Sequence, residues 1–293
     1  MRPIGLLRQC WLRALLAAAL CGAGAAQALQ LTDDSGVAVH ITQPVRRIVS
    51  LLPALTETVC ELGQCALLVA VDRYSDFPQS VRKLPQVGGG LDPNIEAIVA
   101  LKPDLVLAAT SARAVARLRA LGLTVLALEP RSHADVRRVL EQVALVLSVP
   151  DAPRVWQTIE AALNAAAQTL PSGARGKRVY FEVNRAPYAA GEASFIGETL
   201  GRLGVSNIVP ASLGAFPKLN PEFVVRAAPD LIMVGDRDYA GFEGRPGWAA
   251  MRALREQRVC VFNAEQTDVL VRAGPRLGEG ARIMAQCLQR MAP

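Results

Sequence analysis

Few side chains in this sequence are placed to do chemistry, and they narrow the choice quickly. Only two histidines occur, His40 in a leader segment and His133 at the start of a predicted helix. A metal cage built on several imidazoles is therefore excluded, and no metal ligand is assigned. His133 reads as a surface residue near a helix N-terminus. No glycine-rich phosphate loop ends in Lys-Ser or Lys-Thr, and neither a Gly-x-Ser-x-Gly elbow nor a His-Glu-x-x-His pair occurs. Phosphoryl transfer, serine hydrolysis and zinc proteolysis thus lack their usual groups. An enzyme would have to draw its nucleophile and base from Tyr74, Asp76 and Glu57, so no catalytic residue is assigned. What remains is a set of loops carrying aromatics and a few polar groups. They are the turn Leu52-Pro53-Ala54-Leu55-Thr56-Glu57, the segment Tyr74-Ser75-Asp76-Phe77-Pro78, and the Ala186–Glu192 loop with Tyr188. Gly214-Ala215-Phe216-Pro217 and the 267–272 stretch with Asp268 and Arg272 complete the set. Rings with a few polar partners suit the holding of a large, flat, partly apolar ligand.

The first 28 residues stand apart. Arg2, Arg8 and Arg13 precede and flank a short apolar run, and Ala26-Gln27-Ala28 is a small-x-small cleavage site. This is the pattern of a secretory signal peptide cleaved after Ala28. The apolar run is short of the ~20 residues that span a bilayer. A lipoprotein signal at Cys21 is disfavoured by the bulky Leu20 before it. Removing the leader lowers the formal charge from +6 to +3, since it carries three arginines and no acids. The remaining basic residues form no stripe with aromatics, which argues against a nucleic-acid partner.

Four cysteines follow the leader: Cys60, Cys65, Cys260 and Cys287. In an oxidising compartment an even number favours disulfides, and four cysteines allow three pairings. The most economical pairing is Cys60–Cys65 with Cys260–Cys287, because each bridge then stays local. Zinc is disfavoured, as no histidine lies near either pair.

The loops need elements to position them. Apolar strand-like runs over 47–52, 67–72, 105–109 and 124–128 alternate with helical patterns over 54–62, 95–101, 112–121 and 134–147. Such alternation predicts an α/β fold, with a mainly parallel sheet flanked by helices. An alanine-rich segment over 151–170 then breaks the pattern with strong helix formers throughout. Alternation resumes with strands at 178–183, 231–234 and 258–262, and helices at 195–203, 222–227 and 275–289. The expected organisation is a leader (1–28), an N-terminal α/β lobe (29–150), one long interlobe helix (151–171) and a C-terminal α/β lobe (172–293).

An internal echo supports two similar lobes. Asn94-Ile-Glu96-Ala-Ile-Val99-Ala-Leu-Lys-Pro103-Asp104-Leu105 returns 126 residues later as Asn220-Pro-Glu222-Phe-Val-Val225-Arg-Ala-Ala-Pro229-Asp230-Leu231. Each copy reads as a short helix stopped by proline and feeding a buried strand. Two lobes leave a cleft between them, where small ligands bind.

Arg47-Ile-Val-Ser-Leu-Leu-Pro53-Ala-Leu-Thr56-Glu57, Tyr74 to Pro78, Ile98 to Val106, and Asp268-Val-Leu-Val-Arg272-Ala-Gly-Pro275-Arg276 occur in this order. On these motifs the chain resembles the cluster A-III (class III) substrate-binding proteins of ABC importers, most closely the cobalamin binders. The resemblance covers nearly the whole chain after the leader. It implies two α/β lobes bridged by one long helix, with small closure on ligand. It implies a corrinoid cleft lined by Pro53, Ala54, Tyr74, Phe216, Asp268 and Arg272, and Tyr188 joins them from its loop position. It implies that Glu96 and Glu222, the acids of the echo, dock into a permease dimer. A monomeric periplasmic carrier without a prosthetic group is expected. Two departures bear on the ligand: Gly88-Gly89-Gly90 stands where the cobalamin binders carry a stacking tryptophan, and Phe216 replaces another. Haem-binding relatives place a tyrosine near this glycine run, and the sequence shows none there. The expected ligand is a corrinoid; a ferric siderophore or haem is the alternative, and a corrinoid- or metal-processing enzyme a further one.

Overall fold

The computed structural model describes residues 29–185 and 187–291; the 1–28 leader with its expected cleavage site, and Ala186, lie outside the described residues. A hairpin of β1 (Leu29–Thr32) and β2 (Ala38–Ile41) opens the chain. Four short strands follow, β3 (Ile48–Ser50), β4 (Leu68–Val71), β5 (Leu105–Ala108) and β6 (Val125–Ala127), all parallel in the order β4-β3-β5-β6. Their connections carry α1 (Pro53–Glu61), α2 (Ile95–Ala100) and α3 (Ala114–Ala120); α4 (His133–Val146) follows β6. The strands are almost wholly buried, which is why they read as unbroken apolar runs.

After α5 (Ala152–Gln168) comes a second sheet, ordered β11-β10-β7-β8 with β9 also on β7. It comprises β7 (Arg178–Asn184), β8 (Tyr188–Ala189), β9 (Ser206–Asn207), β10 (Leu231–Gly235) and β11 (Val259–Phe262), with only β8 antiparallel. Its longer helices are α6 (Phe195–Arg202), α7 (Pro221–Ala227), α8 (Ala264–Val271) and α9 (Leu277–Met291). Residues 267–271 of the stretch expected as a loop are instead helical, in the body of α8, and Arg272 follows its end in extended conformation. The reason is a capping box: Asn263 accepts from the Gln266 N–H while the Gln266 side chain accepts from the Asn263 N–H. That pair satisfies the first free donors of the helix directly after β11. Cys60 is joined to Cys65, and Cys260 to Cys287.

One apolar core crosses both halves. It runs from Leu55, Leu107 and Leu140 through Trp156, Ile159 and Leu163 of α5 to Phe181, Leu200 and Met284. The outer face of each sheet has its own smaller core. α5 and α9 pack so closely that a Cβ on Gly278 would lie 2.4 Å from the Ala162 Cβ. A single core shared through α5 resists independent rotation of the halves.

The echo has a structural basis. Asn94 caps α2 by accepting from the Ala97 N–H, and Asn220 caps α7 by accepting from the Glu222 N–H. Lys102 and Ala228, at equivalent positions, both adopt positive φ (47° and 45°) as each helix ends. Asp104 then accepts from the N–H groups of Arg46 and Arg47, while Asp230 accepts from that of Arg178. In each half the repeated aspartate ties its strand to the start of the neighbouring one.

His133 corrects its expectation as a surface residue: it is buried. Its Nε2 lies 2.9 Å from Thr199 Oγ1 and 3.1 Å from the Phe195 carbonyl of α6, and its N–H donates to Glu198. The ring therefore sits between α4 and α6, where the halves meet. Burial pushes its pKa below the usual 6.5 and outweighs the opposing pull of Glu198, with Arg202 adding to the depression and Glu160 opposing it. A histidine whose folded pKa is depressed contributes stability that is complete above pH 6.5 and falls away as pH drops below it. Urea midpoints followed from about pH 8 to about pH 5 should therefore fall further in the wild type than in His133→Gln. Parallel curves would show that this imidazole does not control acid stability.

Candidate ligand cleft

The parallel strands of both sheets point their carboxyl ends at one cleft of about 470 Å3. This is where open α/β sheets present loops and free helix N-termini to a ligand. Leu52, Pro53 and Ala54 reach it from the turn after β3, Tyr74 from the loop after β4, and Glu129 and Pro130 from the loop after β6. The opposite wall is Val183, Phe195 and Phe216, and the floor is Asp268, Val271, Arg272 and Ala273. Phe216 stands on the buried Phe195 ring at 5.9 Å between centroids. Across from it Tyr74 is 61% exposed, with no aromatic partner among the described residues. Two aromatic walls facing each other over a gap can hold a flat molecule by its faces.

The residues expected at a ligand site are brought together unequally. Pro53, Ala54, Tyr74, Phe216, Asp268 and Arg272 all line the cleft, whereas Tyr188 is not among its lining residues. Tyr188 lies in β8 at the sheet edge and bridges Lys218. Its expected place at a ligand site followed from reading 186–192 as an open loop, whereas 188–189 forms a strand.

Arg272 is in the cleft wall yet only 9% exposed. Its guanidinium donates to Glu57 Oε1 at 2.9 Å, to Asp76 Oδ1 at 2.8 Å and to the Tyr74 carbonyl at 3.0 Å, and lies 3.0 Å from Asp268. Arg276 grips the same Glu57 through both oxygens, at 2.9 and 2.7 Å, and lies 4.1 Å from the Phe77 ring centroid. Burial alone would lower the Arg272 pKa, but Asp76 and Glu57 hold it above the ordinary value. Asp268 is pushed up, chiefly by burial and further by Asp76, against the pull of Arg272. Glu57 and Asp76, two of the three groups an enzyme would need, are both engaged by arginine.

Beneath Tyr74 a buried chain of hydroxyls fixes its loop. Ser75 donates to Asp72 at 2.5 Å, Ser75 and Thr56 hydroxyls are 2.8 Å apart, and Thr56 donates to Ser50 at 2.8 Å. Burial pushes the Asp72 carboxyl above the usual range. Glu57, Arg276, Asp72 and Glu129 were not singled out as ligand-site residues. Glu57 and Arg276 could have been flagged as opposite charges inside apolar segments, since such charges must pair. Among the described residues no cluster of three or more His, Cys, Asp or Glu side chains is placed to hold a metal ion.

Comparison with known proteins agrees with this geometry. Residues 48–265 match the family described as periplasmic binding protein. The chain belongs to that family and is a class III substrate-binding protein. It is 32% identical over 266 residues to the vitamin B12-binding protein of Salmonella paratyphi A, covering 87% of this chain and 96% of that one. It is 30% identical over 271 residues to an uncharacterized ABC transporter substrate-binding lipoprotein of Bacillus subtilis, covering 88% and 84%. A solved periplasmic haem-binding protein in complex with two haems superposes with a TM-score of 0.72 at 28% identity, over 84% of this chain and 99% of that one. Members of the family are substrate-binding proteins, and no helix among the described residues is long and apolar enough to cross a membrane. In this family member the cleft lies between the matched sheets, and the Glu57 cluster closes its base.

Glu57 is the buried acid that both guanidinium groups share, so its removal takes the close partner of Arg276 and leaves Arg272 only Asp76 and Asp268. Glu57→Ala should cost about 3–5 kcal/mol in chemical denaturation. A loss below about 1 kcal/mol would mean that water reaches these charges and the cluster does not hold the cleft together.

Proposed function

We propose that this protein captures a corrinoid in the periplasm and delivers it to the permease of an ABC importer. The observation that supports a corrinoid is the charge state of the cleft. Arg272 is the only cation among the described residues lining it, and Glu57, Asp76 and Asp268 already engage it. Haem brings two propionates, and many ferric siderophores are anionic; both need free cations. A corrinoid instead presents a rim of carboxamides whose N–H groups donate. Asp268 and Glu129 line the cleft as acceptors for such donors. The vitamin B12-binding relatives are consistent with this choice.

Haem is the second reading, and Tyr74 is what favours it. The glycine run lacks a tyrosine in sequence, yet a Cβ placed on Gly89 would lie 3.4 Å from Tyr74 Cε2. An exposed phenol thus stands beside the run in space, and a phenolate can ligate ferric iron. Cyanocobalamin and dicyanocobinamide, titrated into the mature protein, should each bind one to one and be recovered unchanged. Haemin binding that is tight, while neither corrinoid binds, and that is lost in Tyr74→Phe, would transfer the assignment to haem.

Docking falls to the two acids of the echo. Each parallel connection returns its helix from the carboxyl edge of the sheet, so the N-termini of α2 and α7 lie on the cleft side. Glu96 and Glu222 occupy those first turns and are exposed, and their side chains have no hydrogen-bond or ion-pair partner among the described residues. The echoed asparagines and aspartates have structural tasks; these glutamates have none beyond favouring the helix dipole. One acid in each of two similar halves suits a partner with approximate two-fold symmetry, such as a permease dimer. Glu96→Lys with Glu222→Lys should leave corrinoid affinity unchanged and abolish uptake, because two attractive contacts become repulsive together. Normal uptake by the double variant would reduce both acids to helix-dipole residues.

A further inference from the structure

A second cavity of about 260 Å3 opens off the cleft, sharing Leu52, Pro53 and Tyr74 with it. Its own walls are Leu51, Leu91, Ala109 and Ala112, with Gly90 completing the rim and Ser111, engaged by Glu129, the one hydroxyl beside them. Glycines shape the turn beside it. Gly88 has φ +92°, and a Cβ there would meet the Asp92 carbonyl oxygen at 2.6 Å; one at Gly90 would lie 3.0 Å from the Leu51 oxygen. The chain therefore passes close over the end of β3 without placing a side chain from Gly88 or Gly90 in the space beneath. Leu91, beside it, is 76% exposed and gives the cavity an apolar edge.

The acids at its edge have their own partners. Asp72 accepts from the Ser75 hydroxyl and the Tyr74 N–H, and Asp92 pairs with Arg73 at 2.7 Å. A polar group entering this cavity would lose water and find few free partners, whereas an apolar ring would lose nothing. We infer that the side cavity takes an apolar ring appended to the main ligand, while the macrocycle lies between Tyr74 and Phe216. Resting on the corrinoid reading, the inference makes the protein a selector of complete cobamides, whose nucleotide tail ends in such a ring. Among cobamides it favours an apolar base over a purine with hydrogen-bonding edges.

The test uses three ligands on the mature protein: a cobamide with a dimethylbenzimidazole base, a cobamide with adenine in the same tail, and dicyanocobinamide, which has no base. The wild type should bind the dimethylbenzimidazole form about tenfold or more tighter than the adenine form. Leu91→Asp places a charge on the cavity wall, and Ala109→Phe fills it. Each should bring that ratio close to one while dicyanocobinamide affinity stays within about twofold. Equal binding of the two cobamides by the wild type, or a preference that survives both substitutions, overturns the inference and leaves the corrinoid reading intact. Failure of all three ligands to bind overturns both.

Discussion

The buried carboxylate of Glu57 is the constraint on which the rest of this structure depends. It comes from the helix after the first sheet strand, yet its partners Arg272 and Arg276 lie more than 200 positions later. Two guanidinium groups cannot leave water together without an acid between them. Because Glu57 binds both, the 52–57 turn is fixed against the 272–276 segment, and the cleft base with it. Arg272 then reaches back to Asp76 and the Tyr74 carbonyl, which ties the aromatic loop to the same point. The ligand walls from the two halves are thus held in register by one ionic cluster.

The apolar core reinforces that register on the far side. α5 is buried along Val155, Trp156, Ile159 and Leu163, and it packs against α4, α6 and α9 rather than spanning open solvent. Turning one half against the other would expose this shared core and break the Glu57 cluster together. His133, wedged between α4 and α6, adds a third joint. A largely preformed cleft follows, its two walls fixed relative to one another by shared packing and charge.

The arrangement also separates three tasks that share one rim. Acceptors and rings face the cleft, apolar walls enclose the side cavity, and unpaired glutamates stand on the helix N-termini outside. A partner gripping those glutamates would sit directly over the cleft mouth. The proposed capture and delivery would thereby use the same end of the molecule without sharing residues.

Much of this was legible in the residues. Unbroken apolar runs gave the strands because buried parallel strands need no polar face, and the 151–170 alanine-rich run gave α5 because its residues favour helix in any context. The echo marked two equivalent helix-to-strand units, since Asn caps and strand-tying Asp residues act locally. What local pattern could not supply was partnership across the fold. Tyr188 looked like a loop aromatic until strand pairing placed it at a sheet edge, and His133 looked exposed until α6 covered it. Residues 267–271 read as a loop until the Asn263–Gln266 capping box made them helix. Arg272 could be placed at the cleft from its motif, but not its engagement by Glu57 and Asp76. By itself the sequence determined most of the elements and their order, because those depend on neighbours in the chain, while the expected cleft residues came from the likeness of its motifs to a family. Only the tertiary structure decided which charges remain free to meet a ligand, because a buried ion pair is made by groups that sequence spacing does not relate.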